Sequence, residues 1–178
     1  MSFFHYIRQL KSDGVGDIIA VNNINLFQEK KMQYNREMTA TVYVVKNSLV
    51  LLHMHKKYNT WFPLGGHIEP HELPNEAAVR EAFEESGYVV ELYDNSEDTH
   101  LTIVKCLPVP EQMYVENLGK ANENIDFIYA AHITGGELHP GECESRNLRW
   151  FSRDDLCNEE NVKPHIRNTA LAILNKYA

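Results

Sequence analysis

The sequence predicts an α+β fold: an α/β/α sandwich around a mixed β-sheet. Three observations carry that expectation. Runs rich in β-branched and apolar residues recur from Thr39 onward. A helix-patterned stretch interrupts them between Pro74 and Gly87. An amphipathic segment at 165–177 closes the chain, with Ile166, Ala170, Ile173 and Tyr177 on one face. Strands, a helix, more strands and a last helix together allow helices to cover both faces of one sheet.

In chain order, residues 1–38 read as an N-terminal extension packed on a domain that spans 39–178. Phe3, Phe4, Ile7 and Leu10 have helical spacing, and Ser12-Asp13-Gly14 reads as a stop. Residues 39–45 and 49–55 read as two paired strands separated by Lys46-Asn47-Ser48. A polar loop follows, then Trp61-Phe62-Pro63-Leu64-Gly65-Gly66. Pro74 suits a first helical turn, where its missing N–H costs nothing. Gly87 suits the position just past a helix end. Residues 75–86 between them form the helix. Strands are expected at 88–92, 101–107 and 125–134. The last two flank a long polar segment at 108–124, read as a substrate-selecting loop or an interface. A short strand at 148–151 and a helical turn at 153–157 precede the final helix.

Composition narrows the function classes. A chain of 178 residues suits one domain with a real core. With 43% hydrophobic and 24% charged residues, it has the balance of a globular protein. No apolar run approaches bilayer length, and residues 1–8 lack the order of a signal peptide, so a cytoplasmic location is expected. Cys106, Cys143 and Cys157 form no CxxC pair, which argues against a zinc knuckle or a disulfide framework. The net charge of −8 gives no general attraction for nucleic acid or anionic membranes, so neither is an expected partner. A phosphorylated ligand would need a local device against that repulsion, and a divalent cation is the obvious one.

On a wheel of about 100° per residue, Glu84 and Glu85 fall within about 60° of Glu81, while Val79, Ala82 and Phe83 fall opposite. One face is thus read as apolar and core-facing, the other as acidic. Acidic helix faces are ordinarily just solvated. Two effects count against that reading here. Like charges three or four residues apart cost about 0.2–0.5 kcal/mol per pair. Glu84 and Glu85 also lie in the last turn, where the helix dipole disfavours negative charge by about 0.3–1 kcal/mol each. Both penalties have one sign, and a bound cation would reverse them. Magnesium and manganese prefer such carboxylate oxygens.

The wider pattern is Gly66, five residues, Glu72, seven residues, then Arg80-Glu81-Ala82-Phe83-Glu84-Glu85-Ser86-Gly87-Tyr88. It resembles the Nudix box: G, five residues, E, seven residues, R-E-U-x-E-E-x-G-U, with U apolar. All seven fixed letters are present, and the motif covers 23 of 178 residues. Ala82 and Tyr88 are unusual occupants of the two U positions.

The resemblance implies a metal-dependent hydrolase that cleaves a pyrophosphate linkage in a nucleoside diphosphate derivative. Glu81, Glu84, Glu85 and the Gly66 carbonyl would hold Mg²⁺ or Mn²⁺. Arg80 would pair with Glu72, and Glu76 could share that pairing. Gly65 and Gly87 would support the loop and the helix end. The cation would neutralise the diphosphate and lower the pKa of a water that attacks phosphorus. Two readings of the general base stay open: Glu81, or a loop glutamate, for which Glu144 stands six residues before Trp150 and Glu137 and Glu142 are rivals.

Tyr58 and Trp61 are candidates to stack on a base, and His67 to donate to phosphate. His53, His55 and His71 read as ordinary polar residues. Pro63-Leu64-Gly65-Gly66 departs from the family's usual Pro-Gly-Gly by one inserted residue. The extra signatures of the ADP-ribose, dinucleoside polyphosphate and coenzyme A groups are missing, and no winner follows from that. An isopentenyl diphosphate isomerase would need a cysteine before the box, where none occurs. A non-catalytic ligand sensor on the same fold, or a plain α/β binding protein, could also carry an acidic helix. A sensor of this kind often loses charged letters of the box, and this chain keeps them all. A homodimer is a possibility carried by the family.

Overall fold

The computed structural model describes residues 34–94, 96, 105–139 and 145–178. The expectations placed on residues 3–14, on most of 101–107, and on Cys143 and Glu144 lie outside these. Eight strands and three helices are described: β1 (Asn35–Lys46), β2 (Leu49–His55), β3 (Thr60–Phe62), β4 (Leu64–His67), α1 (Pro74–Ser86), β5 (Tyr88–Leu92), β6 (Gln112–Gly119), β7 (Asn122–Gly136), β8 (Ser145–Phe151), α2 (Arg153–Asn158) and α3 (Pro164–Tyr177).

The strands form one sheet in the order β3-β2-β1-β7-β5, with β4 also pairing β1, β6 pairing β7 and β8 pairing β2. β1 and β7 run parallel from Asn35 opposite Asn122 to Val45 opposite His132, while the other pairs are antiparallel. The sheet is therefore mixed, as the sandwich requires. Two apolar clusters lie against it, one with α1 and one with α2 and α3. No helix among the described residues is long and apolar enough to cross a membrane.

Two local results differ from the sequence reading. Residues 112–119, expected within a loop, form β6, the first arm of a hairpin with β7. Its turn is Lys120-Ala121, with φ of 52° and 60°. Two consecutive left-handed residues are the hairpin geometry that Asn-Gly usually supplies, and Lys-Ala carries no such signal. The β1–β2 turn has the same form at Asn47 and Ser48, φ 52° and 60°, and there an asparagine announces it.

The second difference is the rotation of α1. Ala78, Ala82 and Glu85 form an i, i+4, i+7 row, and all three are buried. Phe83, expected in the core, is 55% exposed. The buried face therefore takes in Glu85 beside Ala82, while Phe83 and Glu84 point outward. The alanines explain this: Ala77, Ala78 and Ala82 seat the helix against Ala40, Val42, Val44 and Ala131 of the central strands. A phenylalanine on that side would hold the helix away from the sheet.

Candidate active site

The chain enters α1 through a loop that follows β4. Leu73 N–H donates to Glu76 Oε2 at 3.0 Å, so Glu76 caps the helix start, and no bond joins it to Arg80 among those described. At the other end Gly87 adopts φ 76° and its N–H donates to the Phe83 carbonyl at 2.7 Å, a left-handed cap that suits glycine.

Arg80 is the centre of the local bonding. Its Nε donates to Glu72 Oε1 at 2.8 Å and Nη2 to Glu72 Oε2 at 2.9 Å. Nη2 also donates to the His67 carbonyl at 3.0 Å. Nη1 donates to Glu81 Oε1 at 2.7 Å and to Glu84 Oε2 at 3.1 Å. Glu72 in turn accepts from the Glu69 N–H at 3.0 Å. This bidentate pairing holds the loop to the helix, and Arg80 keeps the Glu72 carboxyl below its usual range.

Glu81 lies against β4. A Cβ built on Gly66 would sit 2.3 Å from Glu81 Oε1, so a glycine is what lets this carboxylate reach the strand. Burial pushes the Glu81 carboxyl up from its ordinary value, while Arg80 works in the opposite direction. Glu84 is the outer member, with a side chain 55% exposed. Glu85 is the inner one, 8% exposed, and its Oε2 accepts from the Gly65 N–H at 2.9 Å. Its Oε1 lies 3.5 Å from Nδ1 of His53, a buried residue of β2. Burial, and then the neighbouring His55, lower the His53 pKa to about 4.

The structure thus brings together Gly65, Gly66, Glu72, Arg80, Glu81, Glu84 and Glu85. Among the described residues no three His, Cys, Asp or Glu side chains close round one point as a ready-made metal centre. The reason is visible in the bonds: Arg80 draws Glu81 and Glu84 to itself, and Glu85 points to Gly65 and His53. The donor chemistry still fits a hard divalent cation. All the side-chain donors are carboxylate oxygens, three glutamates share one arginine with a fourth beside them, and the Gly66 cradle admits a carboxylate where a side chain would block it.

Of the candidate substrate-binding residues, Tyr58 is half exposed, with ring centroids 4.7 Å from His55 and 6.0 Å from Phe62. Lys57 and Lys163 place their Nζ atoms 5.2 and 5.7 Å from the Tyr58 ring. Trp61 lies in the α3-side core, edge-on to Phe151 at 4.9 Å. His67 is exposed and its Nε2 lies 2.9 Å from Glu37 Oε2. Sequence reasoning does not single out His53. Its alternation with His55 is legible, but its proximity to Glu85, 32 positions away, depends on the fold.

The mixed sheet and the acidic helix seated on a glycine strand agree with the fold that the motif's resemblance implies, and comparison with known proteins supports it. The NUDIX domain model matches residues 35–172. Among solved structures, a NUDIX-family hydrolase from Clostridium perfringens is 38% identical, with a TM-score of 0.74, covering 81% of this chain and 99% of that one. A MutT protein from Methanosarcina mazei Go1 is 14% identical, TM-score 0.62, over 81% of this chain and 96% of that one. A UDP-X diphosphatase is also 14% identical, TM-score 0.59, over 98% of this chain and 82% of that one. These last two share the fold. No curated protein matches the chain. The chain belongs to the Nudix hydrolase family, and it is an enzyme acting on phosphoanhydride bonds. Members of the family generally act with divalent metal ions.

Proposed function

We propose that this enzyme cleaves a pyrophosphate linkage in a nucleoside diphosphate derivative, and that Glu81, Glu84, Glu85 and the Gly66 carbonyl hold Mg²⁺ or Mn²⁺ for that purpose. The observation that carries the reading is the approach of Glu81 to Gly66, a space that only a glycine leaves open. Bound at these oxygens, the cation supplies charge neutralisation for the diphosphate and acidifies a coordinated water.

The chain's own residues supply position and proton transfer. Arg80 and Glu72 fix the loop that carries Gly66 against the helix that carries the glutamates. The P–O bond of the anhydride breaks as a water oxygen attacks phosphorus, and a carboxylate accepts the proton. Glu81, which lies against Gly66, is the first candidate for that role. Glu144 is the second candidate. Tyr58, half exposed among His55, Phe62, Lys57 and Lys163, is the residue best placed to meet a base, and exposed His67 a phosphate.

The test is a hydrolysis screen with Mg²⁺ and with Mn²⁺ over nucleoside triphosphates, nucleotide sugars, ADP-ribose, dinucleoside polyphosphates, coenzyme A and capped RNA, with products identified. Turnover of at least one is expected. Glu84→Gln should lower it more than about 100-fold, since even the outer partners of metal ligands are worth about 10–100-fold, and the thermal melt should not move. Hydrolysis of none of these compounds, or a variant as active as wild type, overturns the assignment.

A further inference from the structure

Asp126 of β7 is 6% exposed, and two threonine hydroxyls of β1 hold it. Thr39 Oγ1 donates to Oδ1 at 3.1 Å, and Thr41 Oγ1 lies 2.9 Å from Oδ2 and 3.1 Å from Oδ1. Among the described residues no basic side chain pairs with this carboxylate. Burial pushes the Asp126 carboxyl up from its ordinary value, the two hydroxyls act against that shift, and Glu116 of β6 adds to it. A buried carboxylate without a cation is costly. An asparagine would tie β1 to β7 without that cost, so strand pairing alone does not account for an acid here. The bonds also leave room. A carboxylate has about four lone-pair sites, two on each oxygen, and a hydroxyl brings one proton. With the Thr39 proton on Oδ1 and the Thr41 proton on the nearer Oδ2, each oxygen keeps one site for a further donor.

The surroundings are short of donors too. Two residues earlier on the same face of β7, Asn124 Oδ1 is buried and has no hydrogen-bond partner. Asp126 stands between Thr39 of β1 and Tyr114 of β6, and Tyr114 bonds Thr169 of α3, so this is the α3 side of the sheet. Thr41, Tyr114, Glu116 and Asn124 around it are all partly exposed, which makes Asp126 the floor of a face open to solvent. Gly66 stands opposite Ala40 and Gly65 opposite Thr41 on β4, one strand beyond β1. At about 4.8 Å per strand, Asp126 lies about 10 Å across the sheet from the two glycines. Among the described strands β4 pairs only with β1, so its outer edge carries no strand.

We infer, on the reading above that the diphosphate is held at Gly66, that Asp126 selects the base of the substrate: its two oxygens accept from a ring edge with two neighbouring N–H donors, the edge that guanine presents through its ring N1–H and its exocyclic amino group. A substrate held at the Gly66 carbonyl crosses the open edge of β4 and lays its nucleoside on the α3 side, within reach of Asp126. Adenine and cytosine set a bare ring nitrogen beside their amino group, and uracil sets its single N–H between two carbonyls. Each of those bases would turn a lone pair toward a carboxylate oxygen. Two donated N–H bonds favour the ionised form and so offset what burial costs. Tyr58, proposed above for the flat face of a base, leaves that edge to be read by another residue.

The experiment is calorimetric binding of guanosine, inosine and adenosine monophosphates to the protein with Mg²⁺ present. These compounds contain no anhydride and stay intact. Inosine monophosphate keeps the ring N–H and lacks only the amino group. Wild type should bind the guanosine compound more than about tenfold tighter than either of the others, since a hydrogen bond to a charged group is lost in each. Asp126→Asn should bring the guanosine and inosine compounds within about threefold of each other, with a melting temperature no lower than wild type. If that variant melts earlier and keeps the wild-type preference, Asp126 only ties the strands and its selecting role is overturned. Wild type alone also decides the matter without any variant: equal binding of the three monophosphates, or binding of none, overturns the role. The hydrolysis screen described above separates this from the pyrophosphate reading. Hydrolysis of some compound with no guanine preference removes the role of Asp126 and leaves that reading standing. A guanine preference with no hydrolysis removes that reading and leaves Asp126 as the reader of the base.

Discussion

The two faces of the sheet hold their helices by different means. On the α1 face the helix's own contacts are short: Ala77, Ala78 and Ala82 join a cluster with Ala40, Val42, Val44, Leu51, Leu64, Tyr129 and Ala131 of the strands. On the other face they are bulky. Phe151, Leu156, Leu174, Ile166, Ile173 and Trp61 fill the space beneath α2 and α3. Small residues let helix and strand backbones approach closely. That closeness is what allows Glu81 to reach Gly66 and Glu85 to accept from the Gly65 N–H. Large residues bury more apolar surface, and each is worth about 1.5–3 kcal/mol when fully buried. One face is therefore shaped for approach and the other for stability.

Substitutions on each face should separate these roles. Phe151 is fully buried, so Phe151→Ala should cost about 3–5 kcal/mol of unfolding free energy, while turnover per folded molecule stays near wild type. Denaturant titration with activity normalised to the folded fraction checks both halves; a large loss of specific activity would show that the faces are not independent. Gly66→Ala should do the reverse. The new Cβ meets the far end of the flexible Glu81 side chain, which can move aside with little cost in stability. A displacement of about 1 Å in a catalytic group can cost about 100-fold in rate. The expectation is thus a similar melting temperature with about 100-fold lower kcat. The smallest effect belongs to Phe83→Gln. Because the ring is exposed, stability should change by no more than about 0.5 kcal/mol. A loss of several kcal/mol would mean that α1 is rotated as the apolar pattern suggests.

Phe83 also shows where sequence reasoning ends. The wheel places Ala82 on the core side correctly, but the buried face also includes Glu85 and leaves out Phe83. The choice of which arc faces inward depends on how closely the strands allow a helix to sit. The fixed letters of the motif are legible because their roles are local. Gly87 takes a left-handed cap, Pro74 opens the first turn, and β5 runs over residues 88–92 as the pattern indicates. β3 and β4 escape the pattern because three- and four-residue strands leave too short a period, and Gly65-Gly66 has no side chains to alternate. β6 escapes it because Lys120-Ala121 hides a hairpin turn. His53 reads as an ordinary polar residue because its partner comes from a distant helix. The group attached to the diphosphate is not legible at all, since recognition of that kind depends on loops rather than on the motif.

Arg80 sets a limit on how the substrate can be held. A guanidinium has five N–H donors. Here one meets Glu72 Oε1, two meet Glu81 and Glu84, and two meet the His67 carbonyl and Glu72 Oε2. The arginine is donor-saturated by its own protein. While these bonds persist it has no hydrogen to offer a phosphate oxygen, and a lysine with three donors could not replace it. In this arrangement the arginine of the motif spaces carboxylates within its own protein.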